Sequence, residues 1–143
     1  MSTWPTPSNP DATTDMFPAL AESEIDRLRA FGKIRQCRSG EILFEPNSSN
    51  ISFFVILSGE LEIVQPTNDG ERPIVTHGPG HFTGELNMIS GQRSLVRGRM
   101  TEPGELLEIT PDALRSIINS DAKLSEVFMR AFILRRVALL RAG

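Results

Sequence analysis

Glu85 and Arg93 stand eight positions apart in the run Gly84-Glu85-Leu86-Asn87-Met88-Ile89-Ser90-Gly91-Gln92-Arg93-Ser94. A carboxylate such as Glu85 accepts from a sugar hydroxyl. A guanidinium such as Arg93 presents a planar fork that meets two anionic oxygens at once. The acid and the arginine flank a short apolar turn that follows one strand and precedes another, and together they suit a small phosphorylated nucleoside.

Other residues of chemical interest lead elsewhere. His77 and His81, the only histidines, are four apart but span Gly78-Pro79-Gly80, so they cannot ligate from one helix face. A barrel that holds a metal needs several histidines and a carboxylate, and this chain is too poor in histidine for such a site. No serine sits in a nucleophile elbow with a histidine placed as its base. The sequence therefore reads as a binding module without a metal, a cofactor or catalysis. Cys37, the single cysteine, excludes an internal disulfide and reads as a small packed hydrophobe in a reducing compartment. Arg97 and Arg99 alternate with Val96, Gly98 and Met100 and share one strand face. One of them could be a second phosphate ligand, but a solvated charged face is the preferred reading.

The elements that must position these residues follow from composition and pattern. The chain has 143 residues, 39% hydrophobic and 23% charged, enough for one domain with a real core. A net charge of −3 argues against broad nucleic-acid binding, which needs a concentrated basic face. No apolar run nears the roughly 20 residues of a membrane span, and the start resembles no secretory leader. The expected location is the cytoplasm. Residues 1–16 are rich in Pro, Ser, Thr and Asp and read as a flexible arm. A domain over 17–143 begins with a short helix carrying Leu20, Ile25, Leu28 and Phe31 near helical spacing.

From about 32 to 110 the pattern is one of short strands. These are expected at Lys33–Cys37, Ile42–Phe44, Phe53–Leu57, Glu60–Gln65, Pro73–His77, Leu95–Thr101 and Glu105–Ile109. Ser58-Gly59, Pro66–Gly70 and Glu102-Pro103-Gly104 serve as turns. Such regular spacing points to a closed or sandwiched antiparallel roll. Helices follow over about 111–141. Thr110 caps the first, with Pro111 at its opening position. Ser120 or Asp121 caps the second, whose apolar stripe reads Val127, Ala131, Leu134 and Ala138, with Leu124 and Phe128 beside it. Arg130, Arg135, Arg136 and Arg141 in its latter half complement the helix dipole. Phe53, Phe54, Phe128 and Phe132 read as core residues.

This order, a mainly β fold with flanking helices, resembles the cyclic nucleotide-binding domain. Gly40-Glu41-Ile42-Leu43-Phe44, Phe54-Val55-Ile56-Leu57-Ser58-Gly59-Glu60-Leu61, Gly78-Pro79-Gly80 and Gly84-Glu85-Leu86 through Arg93-Ser94 carry the resemblance in register. It implies an eight-stranded antiparallel β-roll (a jelly roll) with an N-terminal helix and two C-terminal helices, and cAMP or cGMP as ligand. In the family the cyclic phosphate lies against the start of a short helix, here about Leu86 to Ile89. Its backbone N–H groups, including those near Leu86 and Asn87, face the anion. The resemblance implies further that Glu85 accepts the ribose 2′-hydroxyl and that Gly84 permits close backbone approach. Arg93 would pair the phosphate, and Ser94 would touch phosphate or base.

The output is expected from the terminal helix, either into a downstream domain or through a homodimer. The cassette wording, with Phe132-Ile133-Leu134-Arg135-Arg136, also resembles sensor domains fused ahead of bacterial flavin-dependent thioredoxin reductases. That similarity implies such a reductase as the effector. Three departures from the family pattern motivate a competing reading, a degenerate roll acting as a ligand-free interaction module. They are a loop a residue or two short, Asn87 where Ala or Gly is common, and Leu95 where Ala usually follows the Arg-Ser pair.

Overall fold

Four consecutive apolar residues, Phe53-Phe54-Val55-Ile56, are all buried, and the layering explains why. Their strand is covered on both faces, by helices on one side and by a second sheet on the other. The computed structural model describes residues 18–49, 51–84 and 93–142. Over these run α1 (Glu22–Arg29), β1 (Lys33–Cys37), β2 (Ile42–Phe44), β3 (Phe53–Ile56), β4 (Glu60–Thr67), β5 (Gly70–His77), β6 (Phe82–Thr83), β7 (Arg97–Glu102), β8 (Gly104–Ile109), α2 (Pro111–Ser120) and α3 (Ala122–Ala142). Two four-stranded antiparallel sheets, ordered β1-β8-β3-β6 and β2-β7-β4-β5, make the expected roll with one helix before it and two after.

Period-2 alternation divides the core in two. Phe53 and Val55 of β3, with Leu107 and Ile109 of β8 and Phe82 of β6, face Leu28, Leu114, Ile117, Leu124, Phe128 and Ala131 of the helices. Phe54 and Ile56 point the other way, toward Phe44, Leu61, Ile63, Ile74 and Met100 inside the roll. Cys37 is buried in this inner cluster, and burial pushes its thiol pKa up.

The two reversals at one end interlock. Gly59 adopts φ +87° and Gly104 packs beside it, where a Cβ would lie 2.0 Å from the Ser58 carbonyl oxygen. The Ser58 hydroxyl accepts from the Glu105 N–H at 2.9 Å. Thr110 caps α2 through its side chain, accepting from the Ala113 N–H at 3.2 Å. Asp121, rather than Ser120, caps α3, with Oδ1 accepting from the Leu124 N–H at 3.1 Å. Its other oxygen pairs with Arg27 of α1 at 2.9 Å, so one side chain joins the three helices.

Several expected boundaries shift. Pro66 is not in a turn: it lies in β4 opposite Glu71, and β5 begins at Gly70, not Pro73. The reversal shrinks to Asn68-Asp69 because the Thr67 hydroxyl accepts from the Asp69 N–H and donates to the Gly70 carbonyl. β7 begins at Arg97 rather than Leu95, which is 58% exposed. Phe31, expected to face the core, is also exposed. On α3 the buried positions are Leu124, Phe128, Ala131, Arg135 and Ala138, while Val127 and Leu134 are half-buried. An arginine thus stands among the buried positions of the face expected to be apolar. Among the described residues no helix is long and apolar enough to cross a membrane.

Candidate functional site

The two described ends of the Gly84–Ser94 run meet the same piece of chain, the connection from β2 to β3. At one end, Gly84 follows β6 with φ +105°. A Cβ there would lie 2.5 Å from the Ser52 carbonyl oxygen and 3.0 Å from the Phe53 Cα. The close approach that glycine permits is therefore made to protein backbone. Gly84→Ala combines left-handed strain with a clash against rigid backbone, and unfolding in urea is expected to show a loss of about 2 kcal/mol or more. A loss below about 0.5 kcal/mol would mean the contact relaxes freely.

At the other end, Arg93 Nη1 donates to the Asn47 carbonyl at 2.9 Å. The Asn47 N–H donates to the Ser94 carbonyl at 2.8 Å, and the Ser94 N–H donates to the Ser48 carbonyl at 3.1 Å. Asn47 itself adopts φ +68°, a left-handed conformation that asparagine tolerates better than most residues. The Ser94 hydroxyl is buried and engaged with Val96, accepting from its N–H and donating to its carbonyl. Asn47, Ser48 and Ser52 thus frame the cassette, a part the sequence reading missed. Its one available signal in the sequence is Pro46-Asn47, a turn-forming pair just after β2. Glu85, Leu86 and Asn87, the remaining expected site residues, lie outside the described residues.

Arg97 and Arg99 do share one face of β7, and carboxylates occupy both. Arg97 pairs with Glu45 and Glu71, and Arg99 with Glu62 at 2.9 Å and Glu71 at 3.0 Å. Arg99, and after it Arg97, holds the Glu71 carboxyl below the usual carboxylate range. This is the charged strand face of the preferred reading.

Behind β6 lies a second group of polar side chains. His77 is buried at the end of β5 and stacks on His81, with ring centroids 6.0 Å apart. Arg135 of α3 is 3% exposed, and its Nη1 donates to the Phe82 carbonyl at 3.0 Å. Burial first, then the Arg135 charge, then His81 push the His77 pKa well below 6.5; burial and Arg135 lower that of His81. A histidine kept neutral in the fold but titrating near 6.5 when unfolded gives full stability above that value and loses it as pH falls toward its lower folded value. His77 is therefore expected to cost at most about 1.4 kcal/mol per pH unit below 6.5. Thermal melts of wild type and His77→Leu between pH 7.5 and 5.5 check this. The variant should show the shallower decline, and parallel declines would remove His77 as the cause.

Among the described residues no cluster of three metal-ligating side chains occurs. A cleft of about 480 Å³ opens between α1 and α3, lined by Pro18, Glu24, Arg27, Lys123, Glu126 and Arg130 among others. Its described lining includes none of Gly84, Arg93 and Ser94.

The family model of the cyclic nucleotide-binding domain matches residues 34–121, which take in the roll, the cassette and α2. The chain belongs to the cyclic nucleotide-binding domain family. An uncharacterised protein of Mycobacterium tuberculosis strain H37Rv is 35% identical over 127 residues, covering 88% of this chain and 24% of the relative. The chain thus spans about a quarter of that relative's length. Among solved structures, the catabolite activator protein of Thermus thermophilus superposes with a TM-score of 0.69 at 22% identity, over 86% of this chain and 58% of that one. An EAL enzyme in its cAMP-bound form superposes at 0.64 and 21% identity, over 78% of this chain and 29% of that one. At such identity the likeness establishes the shared cyclic nucleotide-binding fold.

Proposed function

We propose that this cyclic nucleotide-binding domain is a regulatory sensor that takes cAMP or cGMP at the Gly84–Ser94 cassette and relays binding through α3. Glu85 accepts the ribose 2′-hydroxyl, and backbone N–H groups near Leu86 and Asn87 face the cyclic phosphate. Arg93 supplies the positive charge, while Gly84 and Ser94 hold the ends of the turn. The observation that carries this reading is the framing of those ends: Gly84 and Arg93, 9 residues apart in sequence, both rest on the Asn47–Ser52 connection. Anchoring both ends of a turn leaves less chain entropy to lose when a ligand orders it, which lowers the cost of binding. The fold shared with an EAL enzyme that binds cAMP adds support. The domain binds and does not catalyse, and α3 leads to a downstream effector domain or to a second copy of the chain.

One observation favours the second reading, a roll used for interaction without a ligand. Arg93 and Ser94 both spend hydrogen bonds on the protein itself. Calorimetric titration of the folded protein with cAMP and with cGMP separates the two. Saturable heat that weakens in Arg93→Ala and Glu85→Ala supports the sensor. No heat at high micromolar ligand supports the interaction module.

A further inference from the structure

Building on cyclic nucleotide binding at the cassette, we infer that Arg135 is the positioning residue that ties the terminal helix to the cassette's root. Arg135 and Phe128 are seven residues apart on α3, two helical turns on one face. Between them they hold Phe82. The Phe128 ring meets the Phe82 ring edge-on at 5.0 Å, and the Arg135 guanidinium lies over the same ring at 4.8 Å. The Arg135 Nη1–H then takes the Phe82 carbonyl at 3.0 Å in a buried hydrogen bond.

The topology makes that carbonyl significant. Among the described residues β6 ends its sheet and pairs only with β3, so one edge of its backbone has no described strand beside it. A guanidinium from α3 serves that open edge where a neighbouring strand would otherwise donate. Two residues further on, Gly84 is pressed against the Ser52 carbonyl, and the cassette begins. The route from ligand to helix is therefore short: cassette, Gly84, Phe82 carbonyl, Arg135. A hydrogen bond at 3.0 Å is lost within a fraction of an ångström of added length. A cassette that shifts β6 must carry α3 with it or break this tie.

A hydrophobic residue would pack this face with less cost, because a buried guanidinium demands compensation. His77 and His81 stand beside it as neutral rings, not as further cations. What the arginine adds over leucine or methionine is a directional link from the helix to one backbone atom of β6.

Two variants test the tie. Arg135→Met keeps the unbranched stem and loses the guanidinium. Arg135→Lys keeps the charge and one donor. Hydrogen exchange of the α3 amides is measured without ligand and at saturating cAMP, with affinity taken from calorimetry. Without ligand, exchange in the second half of α3 is expected to quicken about tenfold or more in Arg135→Met, the scale of one charge-assisted hydrogen bond. Arg135→Lys should recover part of it. With cAMP, wild type should change its α3 exchange on binding, while Arg135→Met binds without that change. Equal ligand-free exchange in all three proteins overturns the tie. So does an Arg135→Met protein whose α3 responds to cAMP as wild type does. If wild type itself takes up neither cAMP nor cGMP, the sensor reading fails, and the ligand-free comparison still judges the tie. Should Arg135→Met not fold, the same readouts on Arg135→Lys apply: wild-type exchange and response there overturn the proposal.

Discussion

Arg93→Ala is expected to weaken cyclic nucleotide binding about 100-fold while moving the melting temperature by only a few degrees. The two effects separate because Arg93 has different employment in the two states. In the structure it is exposed and, among the described residues, makes one hydrogen bond, to the Asn47 carbonyl at 2.9 Å. Such a bond at a surface is worth about 1 kcal/mol. Against a cyclic phosphate the same fork makes charge-assisted bonds of about 1.5–3 kcal/mol each, and two of them suffice for the expected loss. Arg93→Lys should fall between, since an ammonium keeps the charge and forfeits the planar fork. Calorimetry with cAMP and cGMP, paired with thermal melts, reads both quantities. Unchanged affinity would remove Arg93 from the phosphate. A large loss of stability would mean that its chief work is to hold the Asn47 turn.

The largest effect on stability is expected at Phe128. Its side chain is fully buried, and its ring lies 4.9 Å from Phe53 and 5.0 Å from Phe82, so it joins α3 to β3 and β6 at once. Phe128→Ala removes the transfer energy of a whole ring and leaves a cavity between a helix and a rigid sheet that cannot collapse into it. The cost for such a site is about 3–5 kcal/mol, which for a chain of this length lowers the melting temperature by roughly 10 °C or more. Ile133→Ala on the exposed side of the same helix (55% exposed) is the comparison and should stay within about 0.5–1 kcal/mol of wild type. Near-equal melting temperatures for the two variants would mean that α3 is not docked through Phe128.

The family, the roll and the order of its elements were legible because they rest on local signals. Thr110-Pro111 opens a helix wherever it stands, since a hydroxyl cap and a fixed φ act within one turn. Ser58-Gly59 reverses the chain because glycine accepts φ +87°. The apolar run Phe53–Ile56 announced a strand, and the burial of both its faces followed from the layers around it. Where local signals competed, the boundaries moved: Pro66 reads as a turn residue but lies in the β4–β5 ladder, because the Thr67 side chain closes the reversal farther on.

The sequence by itself determined which residue types the cassette offers and roughly where the elements around it begin and end. Only the tertiary structure decided what those residues touch. Arg93 and Asn47 are 46 positions apart, and Gly84 and Ser52 are 32 apart, distances over which no propensity or spacing rule acts. Arg135 is the clearest case. In sequence it is one of several cations near a helix end, alike in charge and neighbourhood. The rotation of α3 against β6, set by Phe128 and Ala131 packing on the sheet, buries Arg135 beneath the helix and leaves Arg136 half-buried and Arg130 exposed. Helix register relative to a sheet depends on how whole faces fit, and that is settled only when both faces are present.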